Sequence, residues 1–177
     1  IITDENGQVR GIITAEDAED IPCNLVGLTA GVSPNISFLA GSGIKTNRGV
    51  LVNRYLETNI PDIYAIGDCA EQQEPIGERR SIEAVWYTGR MMGETVAQTL
   101  CENPRTYNPG HWFNSAKFFD IEYQTYGWVG SVPKKEEARF YWEHPSEKKC
   151  IHINFDQKSR KFFGINTFGI RLRHPFF

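Results

Sequence analysis

Hydrophobic and polar positions change period several times along this chain, and each change predicts an element. Ile1 and Ile2, then Val9, Ile12 and Ile13, flank the polar stretch Asp4-Glu5-Asn6-Gly7-Gln8. The Asn6-Gly7 pair suits the positive φ angles of a tight turn, so residues 1–14 predict a β-hairpin. Residues 23–30, CNLVGLTA, are mostly apolar and predict a short strand buried on both faces. Gly31, Pro34 and Asn35 read as the architecture of the turn that follows. Residues 48–53 and 63–66 predict two more strands, the second ending at Gly67 with Asp68 directly behind it.

A helical period takes over across 81–101. Ser81 suits the N-cap, and the Glu102-Asn103-Pro104 stretch stops the helix. Val85, Met92, Val96 and Leu100 share one face with Gly89 and Gly93. A glycine inside a helix costs about 1 kcal/mol against alanine. Two of them, four apart on the apolar face, predict that a sheet or other backbone comes close there. Residues 103–110, rich in Pro, Gly and Asn, then read as a linker.

Beyond the linker the runs are aromatic and alternating: KFFDIEY (117–123), ARFYWEH (138–144), CIHINF (150–155) and KFFGINTF (161–168). Ile151, Ile153 and Phe155 alternate with Cys150, His152 and Asn154, the pattern of a half-buried strand, and 156–159 reads as the hairpin turn between the last two runs. Together they predict a small antiparallel sheet. There is no internal repeat and no low-complexity tract.

Composition adds exclusions. The chain has 177 residues, of which 40% are hydrophobic and 23% charged, and a formal net charge of −3. That balance suits a globular protein and carries no basic field for nucleic acid. No apolar run approaches the ~20 residues of a membrane span. Cys23, Cys69, Cys101 and Cys150 are far apart, and His111, His144, His152 and His174 are scattered, so no metal site and no redox pair is signalled. Reduced thiols and a cytoplasmic location are the expectation. The opening on Ile1 and the closing Phe176-Phe177 read as a piece cut from a longer protein.

The chemistry centres on Gly67-Asp68. A glycine at the end of a strand lets a ligand near the backbone, and an aspartate there can accept hydrogen bonds from sugar or sugar-alcohol hydroxyls. An aspartate also commonly closes a turn through its own backbone, so the pair alone does not decide. Its surroundings do. LTAGVSPN (28–35), followed by LAGSGIKTNRGVLVNRYLETNIPDIYAIGDCAE (39–71), resembles the second flavin-binding region of the pyridine nucleotide–disulfide oxidoreductases, and is similar to NADH oxidases and to rubredoxin and ferredoxin reductases.

The resemblance implies an α/β fold, part of a flavoprotein with two dinucleotide-binding domains, followed by a small α+β domain with an antiparallel sheet. Residues 1–30 would be the last strands of an NAD(P)H-binding domain, and 31–103 the C-terminal segment of the FAD-binding domain. Residues 111–177 would be an interface or dimerisation domain, itself truncated. It implies that Asp68 binds the FAD ribityl chain, with Gly67 giving room beside the pyrophosphate. Backbone N–H groups at Ser81, Ile82 and Glu83 would face the flavin pyrimidine edge from a helix N-terminus. TGRMMGETVA (88–97) is similar to the family's helix, with Thr88 where Gln is usual. HWFNSAKFFDIEYQTYG (111–127) resembles a stretch that lays an aromatic over the flavin, with Asn114 at the place of the Trp. Trp112 or Phe113 takes that role, or both are core.

No G-x-G-x-x-G occurs, so the phosphate-binding loops are absent from this stretch. Cys69 has no activating neighbour in sequence, and no catalytic residue is identified. The expectation is a part of an FAD-dependent oxidoreductase that passes electrons from NAD(P)H through flavin to an unidentified acceptor, a small electron-transfer protein or a small molecule. Alone it would be inactive and hold FAD weakly. The alternative is a non-catalytic oligomerisation or partner-binding module with a vestigial flavin motif, and the resemblance of 111–177 to an interface domain implies a homodimer as one partner.

Overall fold

The computed structural model describes residues 1–15, 19–74 and 76–173. His174, Phe176 and Phe177, which figured in the sequence reading, lie outside the described residues. The chain divides into two compact units, Ile1–Ser33 and Pro34–Phe177.

The first unit is a three-stranded antiparallel sheet of β1 (Ile2–Thr3), β2 (Val9–Ile13) and β3 (Asp20–Pro22), in that order. The expected hairpin is there, but its turn needs only one positive φ, that of Gly7 at +76°. The Asp4 carboxylate supplies the rest by accepting from the Asn6 and Gln8 N–H groups, both at 2.9 Å. β3 was not anticipated. The strand expected over 23–30 is absent: beyond a single bond from the Cys23 N–H to the Arg10 C=O at 3.2 Å, no described strand pairs with these residues, and Leu25 and Leu28 stand exposed. An apolar run becomes a strand buried on both faces only when neighbours hydrogen-bond to it.

The second unit begins with a two-stranded parallel pair, β4 (Val50–Val52) and β5 (Ala70–Gln72), in the register Val50–Ala70, Leu51–Glu71, Val52–Gln72. Residues 63–66 do not form the expected strand. They are extended and held by scattered backbone bonds, Thr58 N–H to Ile63 C=O and Ala65 N–H to Leu56 C=O, with Ile63 and Ile66 part-exposed. The parallel strand therefore follows Asp68 instead of preceding it.

One helix, α1 (Trp86–Leu100), packs on this pair. It begins four residues later than expected, with Val85 rather than Ser81 at its N-cap and no side-chain capping bond. The Ser81 C=O accepts from the Gln72 N–H at 2.9 Å, which keeps the chain there alongside β5. Thr88, Met92 and Val96 form the buried face, whereas Leu100, expected on it, is exposed. Val52, Leu56, Ala70, Met92, Val96 and Tyr107 make the core, each larger apolar side chain contributing roughly 1.5–3 kcal/mol by burial.

A five-stranded antiparallel sheet completes the unit, in the order β6-β7-β10-β9-β8. Its strands are β6 (Phe113–Phe118), β7 (Ile121–Gly127), β8 (Glu137–Glu143), β9 (Cys150–Asp156) and β10 (Phe162–Phe168). Residues 117–123, read as one run, are the β6–β7 hairpin, with Phe119 at its tip in the left-handed region at φ +55°. The 156–159 turn is held by the Asp156 carboxylate, which accepts from Lys158 and Ser159. The alternation along β9 hides a reversal: Asn154, on the polar face, is fully buried and donates to the Glu137 carboxylate of β8.

Candidate functional site

Gly67 opens a short 3-10 turn, Gly67–Cys69, that leads into β5. Its φ is +77°, a region that glycine enters without steric cost, and an added Cβ would meet nothing within 4 Å. Backbone and open space thus coincide. Asp68 is exposed, and no described residue gives its carboxylate a hydrogen bond or an ion pair. An aspartate closing its own turn would be engaged, as Asp4 and Asp156 are.

The turn is held from below by α1. The Gly67 N–H points to the Met92 sulfur at 3.3 Å. A Cβ on Gly89 would sit 3.5 Å from the Gly67 Cα, and one on Gly93 would sit 3.9 Å from the Ile66 Cδ1. Gly89 therefore faces the Gly67 backbone, which meets the expectation of a close approach, whereas Gly93 faces the Ile66 side chain at ordinary contact distance and does not meet it. From the other side, Gly49 lies against the Cys69 carbonyl, and the buried Glu71 carboxylate accepts from the Gly49 N–H at 2.8 Å and from the Asn47 amide at 3.0 Å.

Ser81, Ile82 and Glu83 do not lie in the first turn of α1, because the helix starts after them. Ser81 is exposed and Ile82 half-buried; the Ile82 side chain reaches toward Gly49. Glu83 is buried, and its carboxylate is gripped by the Arg79 guanidinium through Nε at 2.6 Å and a second nitrogen at 2.5 Å. The Thr88 hydroxyl lies 3.4 Å from the same carboxylate. Sequence reading missed Arg79 and Glu71, and noted Thr88 only as standing where Gln is usual; the one signal was an Arg–Glu pair four apart, which in a helix would be a surface pair.

Trp112 and Phe113 face different partners. Trp112 lies under Arg79, whose guanidinium carbon is 5.1 Å from the ring centre. Phe113 packs on Tyr87 with ring centres 4.9 Å apart, and the Tyr87 hydroxyl is 2.7 Å from the Ser115 Oγ. Tyr107, next to the Arg79–Glu83 pair, has a buried hydroxyl without a partner among the described residues. Burial pushes that hydroxyl up to about 12, with Arg79 pulling it down and Glu83 raising it.

Besides smaller ones, such as that of about 320 Å³ beside β6 and β7, two cavities among the described residues lie elsewhere. One, of about 460 Å³, runs between α1 and β6–β7 past Tyr87, Arg90, Phe113 and Arg171. The other, of about 480 Å³, has Trp128 and Phe163 on its walls but mixes Lys134 and Lys135 with Glu78, Glu136, Glu137 and Asp156. Neither includes Gly67 or Asp68, and neither gathers groups of one character, so the free carboxylate on an open glycine turn remains the candidate site. Among the described residues there is no cluster of three or more metal-ligating side chains, and no helix is long and apolar enough to cross a membrane.

The chain is 47% identical over 159 residues to nitrite reductase [NAD(P)H] of Bacillus subtilis (strain 168), covering 89% of this chain and 19% of that protein. It is 36% identical over 156 residues to the assimilatory nitrate reductase electron transfer subunit of the same organism, covering 87% and 19%. This chain thus spans about a fifth of the length of these relatives. Among solved structures, the ferredoxin reductase for the CYP199A2 system from Rhodopseudomonas palustris superposes with a TM-score of 0.79, over 95% of this chain and 40% of that one. At 24% identity that likeness concerns the fold. Residues 1–97 of the 177 match one family model, and the chain belongs to that family, the pyridine nucleotide-disulphide oxidoreductases.

Proposed function

We propose that this chain is the part of an FAD-dependent oxidoreductase that holds the sugar-alcohol chain of the flavin at Gly67 and Asp68. The observation that carries the reading is the exposed, unpartnered Asp68 carboxylate beside a glycine with open space above it. A carboxylate accepts hydrogen bonds from hydroxyls without competing for them as a donor, and a bare glycine admits a ligand to the backbone. The flavin supplies the redox chemistry, taking a hydride from NADH or NADPH and passing electrons on; the chain supplies position and electrostatics. Backbone groups of Ser81, Ile82 and Glu83 face the flavin ring, and the Glu83 side chain takes no part because Arg79 already holds it.

The acceptor we propose is a protein redox centre serving nitrite reduction, supported by the 47% identity to the Bacillus subtilis nitrite reductase. A cytoplasmic location goes with that role. The part-exposed aromatics of the edge strand β8, Phe140, Tyr141 and Trp142, favour a partner or dimer surface on the antiparallel sheet.

The test is the visible absorption spectrum of the full-length protein containing this chain, as purified. A flavin spectrum bleached by NADH or NADPH, with nitrite then consumed, is the expected result. A colourless protein that stays colourless after FAD is added would overturn the reading in favour of an interaction module.

A further inference from the structure

Arg79 is placed to do more than pair with a carboxylate. Its side chain is 10% exposed, and that of Glu83 7%. Two of its nitrogens take both oxygens of Glu83, and a third donates to the carbonyls of Gly110 at 3.2 Å and Pro109 at 3.4 Å. Its face covers the Trp112 ring. One side chain thus joins the stretch before α1, the helix itself through Glu83 and Thr88, and the start of the antiparallel sheet region.

The helix needs such a fixture. Val85, at its N-cap, makes no side-chain capping bond, so the usual anchor of a first turn is missing. The anchors in its place are the Val85 N–H to Glu83 C=O bond at 2.9 Å and the contact of Thr88 with the Glu83 carboxylate. Thr88 is followed at once by Gly89, the residue that rests on Gly67. The Glu83 charge also lies just before the positive end of α1, where a carboxylate is favoured. A buried ion pair is seldom the most stable filling for its space, since apolar residues of similar size often do as well or better. Position is what a two-point Arg–carboxylate fork supplies, and a lysine cannot reproduce it.

We infer that Arg79 is a positioning residue: through Glu83 and Thr88 it holds the first turn of α1 against Gly67, and so sets how the Gly67–Asp68 site grips the flavin. The inference rests on the flavin reading above. It also predicts that the sheet region, tied to the same guanidinium through Gly110 and Trp112, is coupled to that grip.

The experiment uses the full-length protein and two changes: Arg79→Lys, and the double change Arg79→Met with Glu83→Leu, which replaces the ion pair by apolar groups and keeps the space filled. Four quantities are read: the FAD dissociation constant of the apoprotein, the rate of hydride transfer, the flavin midpoint potential, and thermal stability without FAD. We expect FAD affinity to fall about tenfold or more in both variants. Hydride transfer should slow by up to about a hundredfold, the order that a misplacement of an ångström produces. The potential should become more negative as donors lose aim on the reduced ring. If Arg79→Lys fails to fold, the double variant decides. Wild-type affinity and potential in a folded variant, whatever its melting temperature, would overturn the inference and leave the flavin reading intact. A wild-type protein that binds no FAD would sink both, so the two failures are distinguishable.

Discussion

Gly49 donates its backbone N–H to the buried carboxylate of Glu71 at 2.8 Å, across the parallel pair that carries Asp68 at its entrance. The same glycine has no room for a side chain: a Cβ would lie 2.6 Å from the Cys69 carbonyl oxygen and 3.1 Å from the Glu71 Cβ. Gly49→Ala therefore pushes on the backbone of the turn and on the carboxylate that accepts its own N–H. We expect a loss of roughly 1–3 kcal/mol from overpacking, with about 1–3 kcal/mol more if the Glu71 bond breaks. Urea unfolding of the full-length protein measures it, and a variant as stable as wild type would contradict the close contact.

A second glycine separates backbone strain from crowding. Gly127 has φ +67°, and a Cβ there would overlap the Phe163 carbonyl, across from Gly164 in the β7–β10 register. Gly7 has φ +76° and nothing within 4 Å. The left-handed conformation alone costs an L-residue about 1–2 kcal/mol. Gly7→Ala should lose about that much, and Gly127→Ala several kcal/mol, enough to threaten folding. Comparable losses at the two positions would mean that the β7–β10 approach is looser than described.

Much of this was legible in the sequence, for reasons that differ by residue. Gly89 was readable because glycine on the apolar face of a helix has few uses besides close approach, whereas Gly93, against the Ile66 side chain, was read for the same role and does not have it. The sheet was readable from the alternation of 150–155 and the Asp156 turn. The 63–66 run was misread because an extended segment held by Leu56 and Thr58 looks like a strand when only hydrophobicity is visible. The helix start was misread because Ser81 suits an N-cap, while its carbonyl is in fact taken by Gln72. Asn154 and Arg79 were invisible for a common reason: each is a polar residue whose burial depends on a partner, Glu137 or Glu83, that period and composition do not pair with it.

His152 makes stability depend on pH in a definite direction. Burial lowers its pKa below 6.5, the Arg139 charge lowers it further, and Glu137 raises it. The unfolded chain therefore binds more protons than the folded one as pH drops through 6.5. The contribution is complete above 6.5 and is lost as pH falls toward the folded value, with no further change below it. The melting temperature should decline between pH 7 and pH 5, and His152→Gln should flatten that part of the curve. A ring-proton NMR titration of His152 with a midpoint above 6.5 would contradict the assignment.

Asp68→Ala is the sharpest test of the candidate site, because the carboxylate supports nothing else. It is exposed and has no partner among the described residues, so removing it should change stability by less than about 0.5 kcal/mol. A residue that closed a turn, as Asp156 does, would cost more. If Asp68 accepts hydrogen bonds from the flavin hydroxyls, its loss removes charge-assisted bonds of about 1.5–3 kcal/mol each. FAD affinity should then fall by at least tenfold, since about 1.4 kcal/mol is a factor of ten in binding. Asp68→Asn should fall between, since it keeps an acceptor without the charge. Apoprotein titrated with FAD, alongside a thermal melt, reads both quantities at once. Unchanged affinity with unchanged stability would leave Asp68 without a role and point to the antiparallel sheet as the working surface.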